Sequence, residues 1–394
     1  MRLPGTPFRS ILSLTAGGDL QPYSGVVSNS ESAAAAEAPI PRAAGSALPP
    51  LTSLRFFAAF YVVMGHSMSW LEVRFRFPLL VKTFLGNGYL AVCLFFLLSG
   101  FILSYTYGAH SSTPLERKKF WAARFARIYP VYLLSLLLIL PFEYHNISWP
   151  KAISVLLMIQ AWNPLHPEII GVWNYPAWSL SVEAFFYLCF PFIQRRLWQS
   201  SSRNLLLVGA FASLISILFQ TPIQGLGLWD PGITGRWLPL PILRIPEFLL
   251  GMILGNIFVR FGPINRDNAF STLAVFSSIL LLSAPTGRWV SLVILTFALL
   301  IYSLASSEGG IFSFLSNPLM ILLGGASYSI YLLQLPVRDW VRTLGSGHFL
   351  SRLQAPLTPF VLILFSILVF RVWEEPARKA VRGWLVRKAQ NCES

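Results

Sequence analysis

Charge is what this chain has least of: Lys, Arg, Asp and Glu make up 12% of its 394 residues, where a soluble domain carries about 25%. With 55% hydrophobic residues and a mean hydropathy of +0.60, that shortage excludes a soluble multi-domain enzyme. Nearly every apolar stretch is long enough to cross a hydrocarbon core of about 30 Å. Acid is scarcer still, with 16 Asp and Glu against 30 Lys and Arg for a net charge of +14. In a soluble chain this excess would suggest a nucleic-acid partner; in a polytopic one, basic residues gather in cytoplasmic loops. Cysteine is rare: Cys93 and Cys189 lie in apolar runs and Cys392 lies near the C-terminus, which excludes a disulfide framework and zinc-ligand spacing. An internal repeat of the kind that marks many transporters is also missing.

What is present is a succession of apolar segments. Residues 1–50, rich in Ala, Ser, Pro and Gly, read as a disordered cytoplasmic tail. The apolar segments run over 51–68, 84–107, 128–142, 178–193, 204–219, 242–259, 269–283, 289–305, 318–337 and 356–373. They predict an all-α, polytopic integral-membrane helix bundle of about ten transmembrane helices. The stretch 151–160 is too short, since ten residues at 1.5 Å each reach about half-way across. If it does not cross, the basic loops 117–127, 195–203 and 260–266 and the tail 378–388 share one side. It is therefore expected to be re-entrant or interfacial, with both termini cytoplasmic in a bacterial inner membrane. Arg338, Arg342 and Arg352 then fall outside. The expected organisation is a 1–50 tail, a 51–378 transmembrane domain and a 379–394 basic tail.

Ionisable groups inside spans are costly and point to function. They are Arg55, His66, Glu183, Arg244 and Glu247. Arg55 and His66 are eleven residues apart, three turns plus about 20°, so they share one helix face about 16.5 Å apart along the axis. A cation near the cytoplasmic end and an imidazole deep in the membrane result; burial favours the neutral imidazole, which suits a general base. A buried histidine bonded to a neighbouring helix is the structural alternative. Arg124 and Arg127, with Arg117, Lys118 and Lys119 just upstream, can clamp phosphates or simply be snorkelling cytoplasmic charge. Arg244 and Glu247, three apart around Pro246, can pair locally. Ser179 and Glu183 share a face of WSLSVEAFFYLCF, from which Ser181 points away. Ser327, Tyr331 and Gln334 line one face of SYSIYLLQLP; both sets fit helix-packing contacts or a polar cavity lining. Trp162, Trp173, Tyr175, Trp229 and Trp237 fall in the longest outer loops, as interfacial aromatics or sugar-stacking surfaces.

Taken in order, LRFFAAFYVVMGH, FFLLSGFILSY, RFARIYP and WSLSVEAFFYL, supported by RIPEFLLGMILG and SYSIYLLQLP, resemble the acyltransferase 3 family of integral-membrane acyltransferases, which includes O-antigen and exopolysaccharide acetylases. The resemblance covers about residues 51–378. It implies about ten helices, acyl-CoA (usually acetyl-CoA) used as donor from the cytoplasm with no metal, and a saccharide hydroxyl as acceptor on the other side. By this resemblance Arg55 and His66 are catalytic, with Glu183 orienting His66 or binding the acceptor. Arg124 and Arg127, with Lys118 and Lys119, contact the coenzyme's phosphates. Trp178, Ser179, Arg244, Glu247, Tyr331 and Gln334 are expected around the acceptor. Gln334 stands where many relatives carry a histidine. The competing reading is a transporter using the intramembrane Arg, Glu and His groups as a proton or solute relay.

Overall fold

The computed structural model describes residues 48–68, 76–108, 114–146, 148–220, 238–263, 268–284, 292–307, 310–345 and 354–390. The expected N-terminal tail up to residue 47 lies outside them, as do Trp229, Trp237, Arg352 and Cys392. Among the described residues the regular structure is helical throughout. The principal helices are α1 (Pro49–His66), α2 (Leu79–Gly86), α3 (Ala91–Tyr107), α4 (Pro114–Glu143), α5 (Trp149–Leu156), α6 (Trp178–Gln199) and α7 (Ser202–Gln220). They continue with α8 (Leu240–Phe261), α9 (Asn268–Leu282), α10 (Val293–Ser306), α11 (Pro318–Gly325), α12 (Ser327–Leu344), α13 (Gln354–Val369) and α14 (Glu375–Gln390). Each of the ten expected apolar segments coincides with one of these helices or with a broken pair. By length and composition five described helices can cross a membrane, or six if α11 and α12, bent by 56°, are one span.

Proline sets several starts. Pro49, Pro150, Pro241 and Pro318 stand in first turns, where the missing N–H costs nothing. Asn317 adds a side-chain cap, accepting from the Leu319 N–H at 2.9 Å. The centre is the α3–α8 pair, in which Gly100, Gly251 and Gly255 allow backbone-to-backbone approach: a Cβ at Gly251 would collide with the Leu97 carbonyl. A buried amide network ties α6 to this pair. Ser104 Oγ donates to Gln194 Oε1 at 2.8 Å, and Asn256 Nδ2 donates to the same oxygen at 3.1 Å. The periphery is apolar instead: Phe211 on α7, Phe276 on α9 and Phe360 and Leu364 on α13 are all more than 60% exposed. Such faces suit lipid rather than water.

Side-chain contacts gather the basic segments at one end. Arg117 sits 5.1 Å over the Phe192 ring near the end of α6. Arg260, at the end of α8, donates to the carbonyls of Leu197, Trp198 and Ser200, capping the negative end of α6. Arg338 instead pairs with Asp339 at 2.9 Å, toward the end of α12. The stretch after α4 stays at that second end and turns back. Its helix α5 is only eight residues long, the chain reverses at Met158 with φ 57°, and Ala161 N donates to Ser181 Oγ at 3.1 Å. Tyr132 Oη meanwhile donates to the Val155 carbonyl at 2.6 Å. Tyr132 lies eleven residues before the end of α4, roughly 16.5 Å along its axis, so the stretch after α4 packs back against the body of that helix. Ser181, expected to point away from Ser179 and Glu183, is what anchors it.

Candidate functional site

Seven of the residues singled out from sequence, Ser327 among them, converge on one cavity. It holds roughly 700 Å³ including its open mouth, and Arg55, Arg124, Arg127, Ser179, Glu183 and Tyr331 all line it. Its remaining wall is mostly Phe, Leu and Ile from α3, with Tyr187 and Tyr328. The site is thus a cationic group set in apolar walls, where charges act more strongly than in water.

Helical spacing explains the cationic side. Arg124 and Arg127, three apart on α4, face the cavity together. The Arg124 guanidinium lies 5.8, 5.7 and 5.9 Å from the rings of Tyr107, Phe120 and Tyr187, an aromatic cage that holds a cation on its open side. Arg124 Nε and Ser327 Oγ are buried without a hydrogen-bond partner among the described residues. Buried donors of this kind demand an acceptor. Lys118 is exposed and Lys119 half-buried on the preceding turns of α4; neither lines the cavity.

Arg55, on α1, interacts electrostatically with Arg127, Glu183 and Glu374. Glu183 is not where its expected role of orienting His66 would require it: its carboxylate accepts from Ser99 Oγ at 2.9 Å and from Tyr187 Oη at 2.5 Å. Both partners line the cavity, so Glu183 is fixed by its neighbours beside the arginines.

His66 is the last residue of α1, and its side chain is exposed at the helix end. Its Nδ1 meets Gln334 Oε1 at 2.8 Å. Gln334 Nε2 donates to the Tyr331 carbonyl at 2.6 Å, so the amide oxygen is the atom left for the imidazole. Nδ1 is then the protonated nitrogen and Nε2 carries the lone pair. The Tyr175 ring stands edge-on at 6.1 Å. Tyr331, one turn before Gln334, lines the cavity and shares a 2.8 Å hydrogen bond with Ser179 Oγ. One helix face therefore links the cavity wall to the imidazole.

Other expected site residues lie apart. Arg244 Nη1 and Glu247 Oε1 form a buried local pair at 2.9 Å, with Cys93 Sγ 3.6 Å from the same nitrogen; neither lines the cavity. Trp178 is half-buried with its ring 6.4 Å from that of Phe96. Trp162 Nε1 donates to the Ser181 carbonyl at 2.8 Å, and Trp173 is buried; among the loop aromatics Tyr175 is the one beside His66. Glu374 was missed from sequence. It is 2% exposed, accepts from Ser329 Oγ at 3.1 Å, and acts on Arg127 and Arg55. It follows directly on the last apolar segment, so a charge at that point reads as the start of a tail. A π-helical turn over Phe370–Glu374 brings it inward, and such turns recur at functional sites.

The family model described as an acyltransferase domain, Acyl_transf_3, matches residues 51–373. Acyltransferase MdmB from Streptomyces mycarofaciens is 32% identical over 329 residues, covering 76% of this chain and 81% of that protein. O-acetyltransferase OatA from Staphylococcus aureus is 25% identical over 371 residues, covering 84% of this chain but 57% of the relative. No solved structure matches. With a family model spanning 323 consecutive positions, from the start of α1 to the π-helical turn, the chain belongs to the acyltransferase 3 family of membrane acyltransferases.

Proposed function

We propose that this chain is an O-acyltransferase that takes an acyl group, acetyl in the first instance, from acyl-CoA entering at the basic end of the bundle. It passes the group to a hydroxyl of a saccharide or glycan precursor reached from the other end. The chain would cross the inner membrane about ten times, with both termini in the cytoplasm. One observation carries this reading: a single cavity is lined by Arg55, Arg124 and Arg127, and its Tyr331 wall continues within one turn to the residue that holds His66. The charged nucleotide of the coenzyme would stay near water against Arg124 and Arg127, while its long, thin arm follows the apolar wall. Fork-shaped guanidinium groups suit phosphate oxygens.

The chemistry follows from the tautomer. His66 Nε2 takes the proton of the acceptor hydroxyl as its oxygen attacks the thioester carbonyl carbon. A C–O bond forms and the C–S bond breaks. The coenzyme leaves as a thiolate and recovers a proton from the imidazolium. Gln334, through Nδ1–H, keeps the ring in the basic tautomer, and Arg55, about three turns of α1 away from His66, orients the coenzyme through its guanidinium charge. Glu183 fixes the cavity wall beside that charge. The family name of OatA, an O-acetyltransferase, supports oxygen as the acceptor atom and acetyl as the group.

Comparative mass spectrometry of surface glycans from cells with and without the gene tests the acceptor. An acyl increment that depends on the gene is the expected result, and unchanged glycans together with acylation of another molecule would overturn the saccharide assignment. The donor site is tested separately. Arg124→Ala should raise the apparent KM for acetyl-CoA about tenfold and leave kcat nearly unchanged. A loss confined to kcat would remove the phosphate-binding role.

A further inference from the structure

The final helix brings one more cation to the basic end of the site. Arg378 lies on α14, which packs against α4, the helix carrying Arg124 and Arg127. It interacts electrostatically with both of them, and with Glu374 and Glu375. Its Nη1 stands 3.8 Å from Glu374 Oε1, whereas a charge-assisted hydrogen bond closes to about 2.7–2.9 Å. The contact therefore tethers the guanidinium without consuming its donors, and the Arg378 side chain remains 42% exposed.

Glu374 is well placed for a tether. It is held by Ser329 Oγ, next in sequence to the cavity-lining Tyr328. Tyr328 Oη in turn donates to the Ile128 carbonyl at 2.8 Å, adjacent to Arg127. On its other side, Trp373 Nε1 donates to the Pro130 carbonyl at 3.0 Å, which pins the π-helical turn to α4. The neighbouring Glu375 is already engaged by Lys379 at 2.9 Å. Four guanidinium groups, on Arg55, Arg124, Arg127 and Arg378, thus face two carboxylates, on Glu183 and Glu374. Two positive charges remain in excess at this end of the site, with Arg378 on its exposed side. A polyanion resolves that excess.

We infer that Arg378 is a third guanidinium of the anion-binding mouth, contacting a donor phosphate beside Arg124 and Arg127, with Glu374 as the carboxylate that positions it. The inference rests on the acyl-CoA reading above. It turns the first residues after the last apolar segment from a basic tail into part of the donor site. A nucleotide bearing several phosphates suits three separated guanidinium groups better than a single carboxylate would.

Coenzyme A itself is the probe. Isothermal titration onto the purified full chain in detergent micelles should give a Kd about tenfold weaker for Arg378→Ala than for the parent. Arg378→Lys, which keeps the charge but not the fork, should lie between them, and both variants should keep the parent's unfolding midpoint. Equal affinity of the Arg378→Ala variant and the parent would overturn the inference. So would equal losses in the Ala and Lys variants accompanied by a lowered midpoint, which would mark Arg378 as structural. Failure of the parent chain to bind coenzyme A would instead remove the donor reading itself, and this inference with it.

Discussion

His66→Ala removes acyl transfer, by at least about 100-fold, while the chain continues to insert and fold. The size of the loss follows from the imidazole's Nε2 being left as a lone-pair acceptor, with Nδ1 committed to Gln334 Oε1 at 2.8 Å. The survival of the fold follows from its position. His66 ends α1 and is exposed, so truncation opens no core cavity, and the buried face of α1 through Leu51, Ala59 and Val62 is untouched. The check is acceptor acylation in membranes, measured by mass spectrometry at matched protein level and matched unfolding midpoint. Retention of substantial activity would sink the general-base assignment. Gln334→Leu sharpens the test: it removes the acceptor for Nδ1–H without touching the cavity lining. It should lower kcat with little change in the KM for acyl-CoA, since ring tautomer matters in the transition state and not in donor binding.

The sequence made legible whatever depends on position along one helix. The eleven-residue step from Arg55 to His66, the three-residue step from Arg124 to Arg127 and the Arg244–Glu247 pairing all follow from the 100° rotation per residue. The structure uses each of them. Partners across helices were not legible. His66 and Gln334 are 268 residues apart, and Glu183 is held by Ser99 from 84 residues away; nothing in a local pattern specifies such pairings. The end of α1 at His66 was not legible, because an apolar run continuing to residue 68 gives no sign of where its helix stops. Glu374 was lost for a related reason. An inserted residue in a π-helical turn shifts the helical phase, so the face on which a side chain emerges no longer follows from counting. That the helix at 149–156 is too short to span was legible because length alone decides it.

Arg244 and Glu247 carry the other large expected effect, on stability. Their side chains are 4% and 0% exposed and meet at 2.9 Å on consecutive turns of α8, the helix packed face to face with α3 at the centre of the bundle. Removing one partner strands the other charge in a low-dielectric core, a loss of about 3–5 kcal/mol. Glu247→Ala and Arg244→Met should therefore each fall sharply in unfolding free energy, measured by denaturant titration in mixed micelles. Replacing both together with Met and Leu should recover most of the loss, because an apolar pair of similar volume leaves no buried charge. That non-additivity separates two roles for the pair. Neither residue lines the cavity, so the stable double variant should retain acyl transfer within a few fold of the parent. If it folds normally but no longer transfers, the pair belongs to acceptor recognition. If the single variants are as stable as the parent, the pair does not hold α8 in the way its burial implies.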